Sequence, residues 1–205
     1  MSRADIYAFV DSAYYNTLTP EGVTTALAKG IPLNARQRIS GCTALHYAVY
    51  HKNRELVVAL LDAGANANMQ DNEGRTSVWE AAYRSTAEIL QLLLDGGGNI
   101  NQTTYDGETI LIALLGSNDG DAAARLNVLL AWPKLNLDAK WRGRVAEHWA
   151  LLKRRPGKAI VIAAERARRQ RWSDLRSAWI TGTVDATASA TGTVPLATSS
   201  KRTCL

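Results

Sequence analysis

The stretch that decides the fold runs from residue 41 to residue 71 and reads GCTALHYAVYHKNRELVVALLDAGANANMQD. Thr43 precedes a short helical pattern, and a threonine hydroxyl at that point can accept a hydrogen bond from a free amide of the first helical turn. After a turn, apolar residues recur at helical spacing, at Leu56, Val57, Leu60 and Leu61. Gly64 follows, where a glycine suits the left-handed conformation that ends many helices. The stretch therefore predicts two short helices and a return loop.

The same pattern returns 33 residues later. When residues 41–70 are aligned with residues 74–103, eleven of thirty positions are identical, among them the pairs Thr43/Thr76 and Tyr50/Tyr83. A further shift of 33 places Gly107 and Thr109 under Gly74 and Thr76. A fixed period of this length is typical of a solenoid, in which each helix pair buries its apolar face only by stacking on its neighbours.

These residues resemble the ankyrin repeat, with its G-x-T-P-L-H opening, leucine-rich second helix and L-L-x-x-G-A-x-x-N close. The chain departs from that consensus at the proline, where Ala44, Ser77 and Ile110 stand, and at the histidine, because only the first of these units keeps it, as His46. The resemblance implies an all-α ankyrin-repeat solenoid with a C-terminal helical cap. It also implies protein binding on a concave face made of hairpin tips and first helices.

We divide the chain by this pattern into six segments. The predicted boundaries are 1–38 for a degenerate N-terminal capping repeat, 39–70 and 71–103 for two regular repeats, 104–137 for a repeat with the insertion GSNDGD, 138–180 for a degenerate repeat and basic helical cap, and 181–205 for a disordered tail. The tail is rich in Thr, Ser and Ala and cannot bury enough apolar area to order itself. Its last residues, Thr203, Cys204 and Leu205, are similar to a C-terminal ligand of PDZ domains.

The bulk composition indicates a globular intracellular protein. The two cysteines are too few for a disulfide framework, and no Cys or His pair has zinc-ligand spacing. The N-terminus lacks the apolar core of a secretory signal, and no stretch is long enough to span a membrane. We expect a monomer in the cytoplasm or nucleus, with no metal, no cofactor and no membrane contact.

No residue pattern predicts catalysis. The sequence offers Cys42 no partner that would activate a thiol, and the GGGN stretch at 96–99 follows a helix, which fits a helix cap better than a phosphate loop. His46 and His148 fall at the same repeat position, where the resemblance implies a structural histidine that holds neighbouring units, whereas His51 is expected to be exposed. We therefore expect a protein that is not an enzyme.

The resemblance places the protein-binding residues on the concave face. Tyr50 and Tyr83 recur at one repeat position and suit an interface, because tyrosine gives a large contact area at low entropic cost; packing between repeats is an equally good interpretation. Trp141 would join them or pack under the cap. The full predicted set is Ile39, Ser40, Cys42, Tyr50, His51, Asn72, Glu73, Arg75, Tyr83, Arg84, Tyr105, Asp106, Glu108 and Trp141.

A basic block gives the chain a second candidate surface. Residues 138–180 carry twelve Lys or Arg against four Asp or Glu, although the whole chain has a net charge of only +5. A terminal cap is the first interpretation, with an apolar stripe at Ile160, Ala164 and Ala167 continued by Trp172, Leu175 and Trp179. The alternatives for this block are a nuclear-import signal and a nucleic-acid- or chromatin-binding patch. For the protein as a whole, a regulatory arm of an enzyme complex is a further alternative to a protein-binding adaptor or regulatory subunit. The basic residues concerned are Lys153, Arg154, Arg155, Lys158, Arg166, Arg168, Arg169 and Arg171.

Overall fold

The computed structural model describes residues 2–180, apart from the side chain of Trp179, and every helix or strand longer than a single bridge in this range is an α-helix. The predicted all-α class is therefore confirmed. The predicted disordered tail and the C-terminal Thr203-Cys204-Leu205 lie outside the described residues. The helices are α1 (Arg3–Tyr14), α2 (Pro20–Ala28), α3 (Ala44–Tyr50), α4 (Arg54–Asp62), α5 (Ser77–Arg84), α6 (Ala87–Asp95), α7 (Ile110–Gly116), α8 (Ala122–Ala131), α9 (Ala146–Leu152) and α10 (Pro156–Ile180).

The helix ends follow the sequence pattern. The hydroxyl oxygens of Thr76 and Thr109 accept hydrogen bonds from the amides three residues later, at 3.1 and 3.2 Å. Gly64 and Gly97 have φ values of 90° and 88°, in the left-handed region expected just past a helix. The starts of α5 and α7 and the ends of α4 and α6 therefore follow from local residues.

The helices pack in two rows within residues 2–163. The first helices of successive repeats contact one another in the order α1, α3, α5, α7 and α9, and the second helices do so in the order α2, α4, α6 and α8. Leu45, Leu60, Leu90, Leu93 and Ile112 are among the core side chains that this stacking buries. The predicted ankyrin-repeat solenoid is confirmed, although the boundaries between repeats stay predictions.

Asparagine side chains connect the return loop of one repeat to the return loop of the next. The Oδ1 atom of Asn34 accepts from the amide of Asn66 at 2.8 Å, Oδ1 of Asn68 accepts from the amide of Asn99 at 2.6 Å, and Oδ1 of Asn101 accepts from the amide of Asn136 at 2.8 Å. Each of these asparagines therefore bonds to the loop of the next repeat.

The carboxyl ends of the first helices are closed by side chains from later repeats. Nε2 of His51 donates to the carbonyl of Tyr14 at 2.8 Å, and the Ser85 hydroxyl donates to the carbonyl of Val49 at 3.2 Å. Lys158 does the same for α7, because its ammonium donates to the carbonyls of Leu114 and Ser117 at 3.4 and 3.3 Å. These bonds satisfy carbonyls that a helix leaves without an internal partner.

Arg125 closes α5 and is fully buried in the stack. Its guanidinium donates to the backbone carbonyls of Ala82 and Tyr83, at 3.0 and 3.3 Å, and to that of Ser85. The insertion that precedes α8 completes the site, since the Ser117 hydroxyl and the Asp119 carboxylate accept from Arg125 at 2.7 and 2.8 Å. The sequence gives no sign of this role, because the backbone carbonyls that Arg125 reaches lie 40 to 43 positions away.

The first two turns of α10 belong to the same unit as the repeats, and they bury Ala159 and Ile162. The apolar stripe predicted at Ile160, Ala164 and Ala167 was wrong, because Ile160 is 68% exposed and both alanines are exposed. The buried residues lie on the opposite side of the helix, where Lys158 reaches the end of α7.

Residues 164–180 form a second unit that continues α10 as a helix. Arg168 and Arg169 pair with Glu165 at 2.7 and 2.8 Å, and hydrogen bonds from Arg168 lower the pKa of Glu165 to about 2. Trp172 is exposed. The residues of the predicted basic block that have partners within the chain include Lys158, Arg166, Arg168 and Arg169.

Candidate protein-binding groove

A groove of about 660 Å³ opens between the end of α1, the first helices α3 and α5, and the hairpin tips that precede them. Its rim is aromatic and aliphatic, because Tyr15, Tyr50 and Ile39 are 71%, 50% and 88% exposed. Large apolar side chains gain free energy when they are buried, so an exposed cluster of them is typical of a surface that binds a partner. The lining residues are Tyr14, Tyr15, Gln37, Ile39, Ser40, Cys42, His46, Tyr47, Tyr50, His51, Asp71, Arg75, Glu80 and Arg84.

The wall beside α1 is a cluster of tyrosines. The ring of Tyr14 packs edge-on against Tyr15 and Tyr47, with centroids 4.9 and 5.2 Å apart. Edge-to-face contacts of this kind hold aromatic rings in defined orientations. The position of Tyr14 is fixed further by His51, which donates to its carbonyl.

The floor beside α3 is a closed hydrogen-bond network. The Tyr47 hydroxyl donates to Oε1 of Gln37 at 2.7 Å and lies 2.8 Å from the Ser40 hydroxyl, which itself donates to Gln37 at 2.6 Å. Burial raises the pKa of Tyr47 to about 12, and burial also raises the pKa of the half-buried Cys42 thiol. Both groups therefore stay protonated at neutral pH, and neither is an activated nucleophile.

His46 joins two repeats at the base of the groove. Its Nδ1 accepts from the Thr43 amide at 3.1 Å, so Nε2 carries the proton and donates to the Arg75 carbonyl at 3.2 Å. Burial lowers the pKa of His46, which agrees with a neutral ring. The structural role predicted for His46 is confirmed.

The same role was wrong for His148, whose side chain is exposed. The residue occupies the equivalent place in the first turn of α9, but the described part of the chain contains no further hairpin whose carbonyl it could reach. His51, expected to be exposed, is half-buried because of its contact with Tyr14.

The end of the groove formed by α5 carries four charged groups. Asp71 is buried at the hairpin, where it accepts from the amides of Glu73 and Arg75 at 2.9 Å each and from Nε of Arg75 at 2.9 Å. Glu80 stands where the preceding repeat has Tyr47, and burial raises the pKa of its carboxyl group. Nε of Arg84 lies 2.8 Å from Oε1 of Glu80.

Arg84 also lies between two of the predicted binding residues. Its guanidinium carbon is 5.1 Å from the centroid of the Tyr50 ring and 5.3 Å from that of the Tyr83 ring. Tyr83 is half-buried and packs on Trp79, 5.2 Å between centroids. The two tyrosines at one repeat position therefore differ, because Tyr50 faces solvent and Tyr83 supports Arg84.

Half of the predicted binding residues line the groove, and the other half do not. Those that line the groove are Ile39, Ser40, Cys42, Tyr50, His51, Arg75 and Arg84. Asn72 and Glu73 lie at the second tip, where the Asn72 side chain donates to the Ile39 carbonyl at 2.7 Å. Tyr105, Asp106, Glu108 and Trp141 lie at later tips; Trp141 donates from its indole to the Asp106 carbonyl at 3.1 Å and packs 4.7 Å from Trp149.

Sequence analysis missed Tyr14, Tyr15 and Glu80 as groove residues. The two tyrosines precede the first recognisable repeat, so no register assigned them to a face. Glu80 had a usable signal, because it replaces the buried Tyr47 at one repeat position and brings a carboxylate into the inter-repeat space.

Within residues 2–180, no group of three or more His, Cys, Asp or Glu side chains is arranged to hold a metal ion. Over the same range, no helix is both long enough and apolar enough to cross a bilayer.

Comparison with known proteins agrees with this geometry. A family model described as "Ankyrin repeats (3 copies)" matches residues 12–104 and, in an overlapping placement, residues 45–128. Together the matches cover more than half of the chain, and the chain belongs to the ankyrin-repeat family.

A curated relative is the Neurogenic locus Notch protein of Drosophila melanogaster, which is 45% identical over 58 residues. That match covers 28% of this chain but only 2% of the relative. Ankyrin repeats are generally protein–protein interaction modules and are typically not enzymes.

Proposed function

We propose that this protein is a non-catalytic adaptor or regulatory subunit of the cytoplasm or nucleus that binds a protein partner in the groove between α1, α3 and α5. The observation that supports the proposal is the exposed rim of Tyr15, Ile39 and Tyr50 around a floor that is held rigid by internal hydrogen bonds. A rigid floor lowers the entropy cost of binding, and burial of exposed aromatic side chains supplies the driving force.

The groove does not extend to α7, and this limit defines the surface that the partner would contact, here called the footprint. The positions of α7 that correspond to Tyr47 and Tyr50 are Ala113 and Gly116. Gly116 is covered from one side by Tyr83, whose Cε2 atom would lie 3.6 Å from a Cβ at that position. The partner would therefore contact the N-terminal half of the stack, whereas Tyr105 and Trp141 lie outside the footprint.

Quantitative affinity capture with the full chain tests the proposal. Two variants, Tyr50→Ala and Ile39→Ser, remove rim side chains, and Tyr105→Ala is the matched control because Tyr105 is equally prominent, at 66% exposure, but lies outside the groove. We expect the same partners to be lost with both rim variants and retained with the control. Partners retained by all three variants would overturn the assignment of the groove.

The basic helix needs its own control in the same experiment. Deletion of residues after 153 would remove Ile162 and Lys158 from the stack and would confuse misfolding with loss of a binding site. The double variant Arg154→Gln/Arg171→Gln neutralises two exposed arginines instead. Partners lost only with this variant would assign binding to the basic block and not to the groove.

A further inference from the structure

The charged groups in the groove are formally balanced but unequally accessible. The two carboxylates, Asp71 and Glu80, have side chains only 3% and 11% exposed, whereas the two guanidinium groups, Arg75 and Arg84, are 27% and 39% exposed. Within the groove lining, an approaching ligand therefore meets the guanidinium groups before the two carboxylates, whereas Glu73, a second partner of Arg75, is exposed outside the lining.

The two arginines differ in the ion pairs and hydrogen bonds that they make within the protein. Arg75 makes ion pairs with Asp71 at 2.9 Å and with Glu73 at 3.0 Å. Nε of Arg84 lies 2.8 Å from Oε1 of Glu80 without donating a hydrogen bond to it, and within the described residues the terminal nitrogens of Arg84 donate no hydrogen bond. Those two nitrogens form a planar fork that matches the two oxygens of a carboxylate.

The rings of Tyr50 and Tyr83 hold this fork in place. Stacking against two aromatic faces restricts the guanidinium group before any ligand arrives. Because the Tyr50 ring is also part of the apolar rim, a side chain packed on Tyr50 lies next to a group bound by Arg84.

We propose that Arg84 is the anchor for a carboxylate of the partner, and that the groove selects an aspartate or glutamate placed beside an aromatic or aliphatic residue. The apolar residue would pack among Tyr50, Tyr15 and Ile39 while the carboxylate accepts from the Arg84 fork. This inference rests on the proposed function and specifies the chemistry of the partner.

The opposite ligand, a lysine or arginine bound to Glu80, fits the geometry less well. Glu80 is buried and already lies against Arg84. Burial disfavours the charged form of this carboxyl group and raises its pKa. A cationic ligand would also have to pass the exposed guanidinium of Arg84.

Selection of random twelve-residue peptides displayed on phage, with the immobilised full chain as the target, supplies a probe of known sequence. Enriched peptides are synthesised, and their affinities are measured by fluorescence anisotropy against the unmodified chain, Arg84→Gln, Glu80→Gln, Tyr50→Ala and the control Tyr105→Ala. We expect enrichment of an acidic residue beside an apolar one. Replacement of that acid by alanine should weaken binding roughly 10-fold, as expected for a charge-assisted hydrogen bond.

The variants should then change the affinity for the peptide in different directions. Arg84→Gln should weaken binding by about the same factor and abolish the dependence on the peptide's acid, as a double-mutant cycle requires. Glu80→Gln should preserve or increase affinity, because it removes the carboxylate that competes for Arg84. The pair Arg84→Gln/Glu80→Gln, which leaves no unpaired charge in the wall, controls for damage to the fold.

Two results would overturn different parts of the scheme. The carboxylate anchor would be excluded if the enriched peptides were rich in lysine or arginine and lost affinity with Glu80→Gln. It would also be excluded if Tyr50→Ala weakened peptide binding but Arg84→Gln did not. Either result would leave the groove as a binding site. Peptides that bind Tyr50→Ala as tightly as the unmodified chain would overturn the groove itself.

Discussion

The regular repeats at 39–103 and the irregular region at 104–163 build the same two rows of helices by different means. In the regular region, His46 at its repeat position donates to the hairpin of the next unit, and Ser85 donates to the end of α3. In the irregular region, the buried Arg125 and Lys158 make the corresponding contacts from positions outside the repeat pattern. The difference teaches that the end of a first helix can be closed either by the serine that follows the next first helix, as at α3, or by a long basic side chain from elsewhere in the stack, as at α5 and α7.

The largest expected effect is at Arg125, whose removal would break the irregular region. Arg125→Ala leaves the carbonyls of Ala82 and Ser85 buried without their donor, and we expect a loss of about 3–5 kcal/mol in the free energy of unfolding. Urea denaturation followed by circular dichroism measures it. The control is Arg54→Ala, which removes an exposed ion pair with Glu88 and should cost less than about 1 kcal/mol. Equal losses for the two variants would contradict a structural role for Arg125.

His46 should give the next largest effect, in the regular region. His46→Ala removes the acceptor of the Thr43 amide and the donor to the Arg75 carbonyl, which should cost about 1–3 kcal/mol. His148→Ala is the matched control, because the same residue type stands at the same repeat position but is exposed. A comparable loss for His148→Ala would show that position in the repeat, and not the inter-repeat contact, determines the effect.

The same pair predicts a pH dependence with a defined sign. Burial lowers the pKa of His46 in the folded chain below its ordinary value of 6.5. Below pH 6.5 the unfolded chain therefore binds a proton that the folded chain excludes, so this residue's contribution to stability is intact above pH 6.5 and decreases as the pH falls towards the folded pKa. Urea midpoints measured between pH 7.5 and 5 should decline less in His46→Gln than in His148→Gln.

Sequence reasoning succeeded where the determinants are local. Thr76, Thr109, Gly64 and Gly97 act on their own helix ends, so a single repeat contains enough information to assign them. Leu60 and Leu93 are core residues for the same reason, since helical spacing alone places them on the buried face. The family pattern then supplied the stacking order.

The failures arise where one position depends on a distant partner. His148 has the predicted register but not the following hairpin, and Arg125 looks like an ordinary surface arginine until the end of α5 is placed beside it. In the groove, repeat position predicted Tyr50, but it could not distinguish Tyr50 from Tyr83, whose exposure is decided by Trp79 and Gly116. Tyr14 and Tyr15 belong to no repeat that the sequence defines.

The asparagine contacts offer a smaller test that spans both regions. Asn68→Ala removes the acceptor of the Asn99 amide and the donor to the Gly97 carbonyl, and Asn101→Ala removes the corresponding bonds to Asn136 and Lys134. We expect each variant to lose about 1–2 kcal/mol in urea denaturation, since each removes two partly exposed hydrogen bonds. Asn118→Ala, at an exposed position of the insertion, should be neutral. A loss confined to Asn68→Ala would show that the loops of the irregular region do not depend on this contact.

The smallest expected effect lies at the last hairpin, where the indole N–H of Trp141 donates the hydrogen bond that a backbone amide donates at earlier hairpins. The tip amides of Asn72 and Tyr105 donate to the preceding tip, at 3.0 and 3.2 Å, whereas the last tip uses the Trp141 side chain. Trp141→Phe keeps an aromatic ring against Trp149 but removes the donor to the Asp106 carbonyl, which should cost about 0.5–1 kcal/mol in the free energy of unfolding.

Because this end of the stack has a neighbour on one side only, amide hydrogen exchange should accelerate in residues 141–152 and remain unchanged in α3 and α5. Trp172→Phe, an exposed tryptophan of the second unit, should change neither. Acceleration throughout the stack would instead show that the last hairpin and the regular repeats unfold as one cooperative unit.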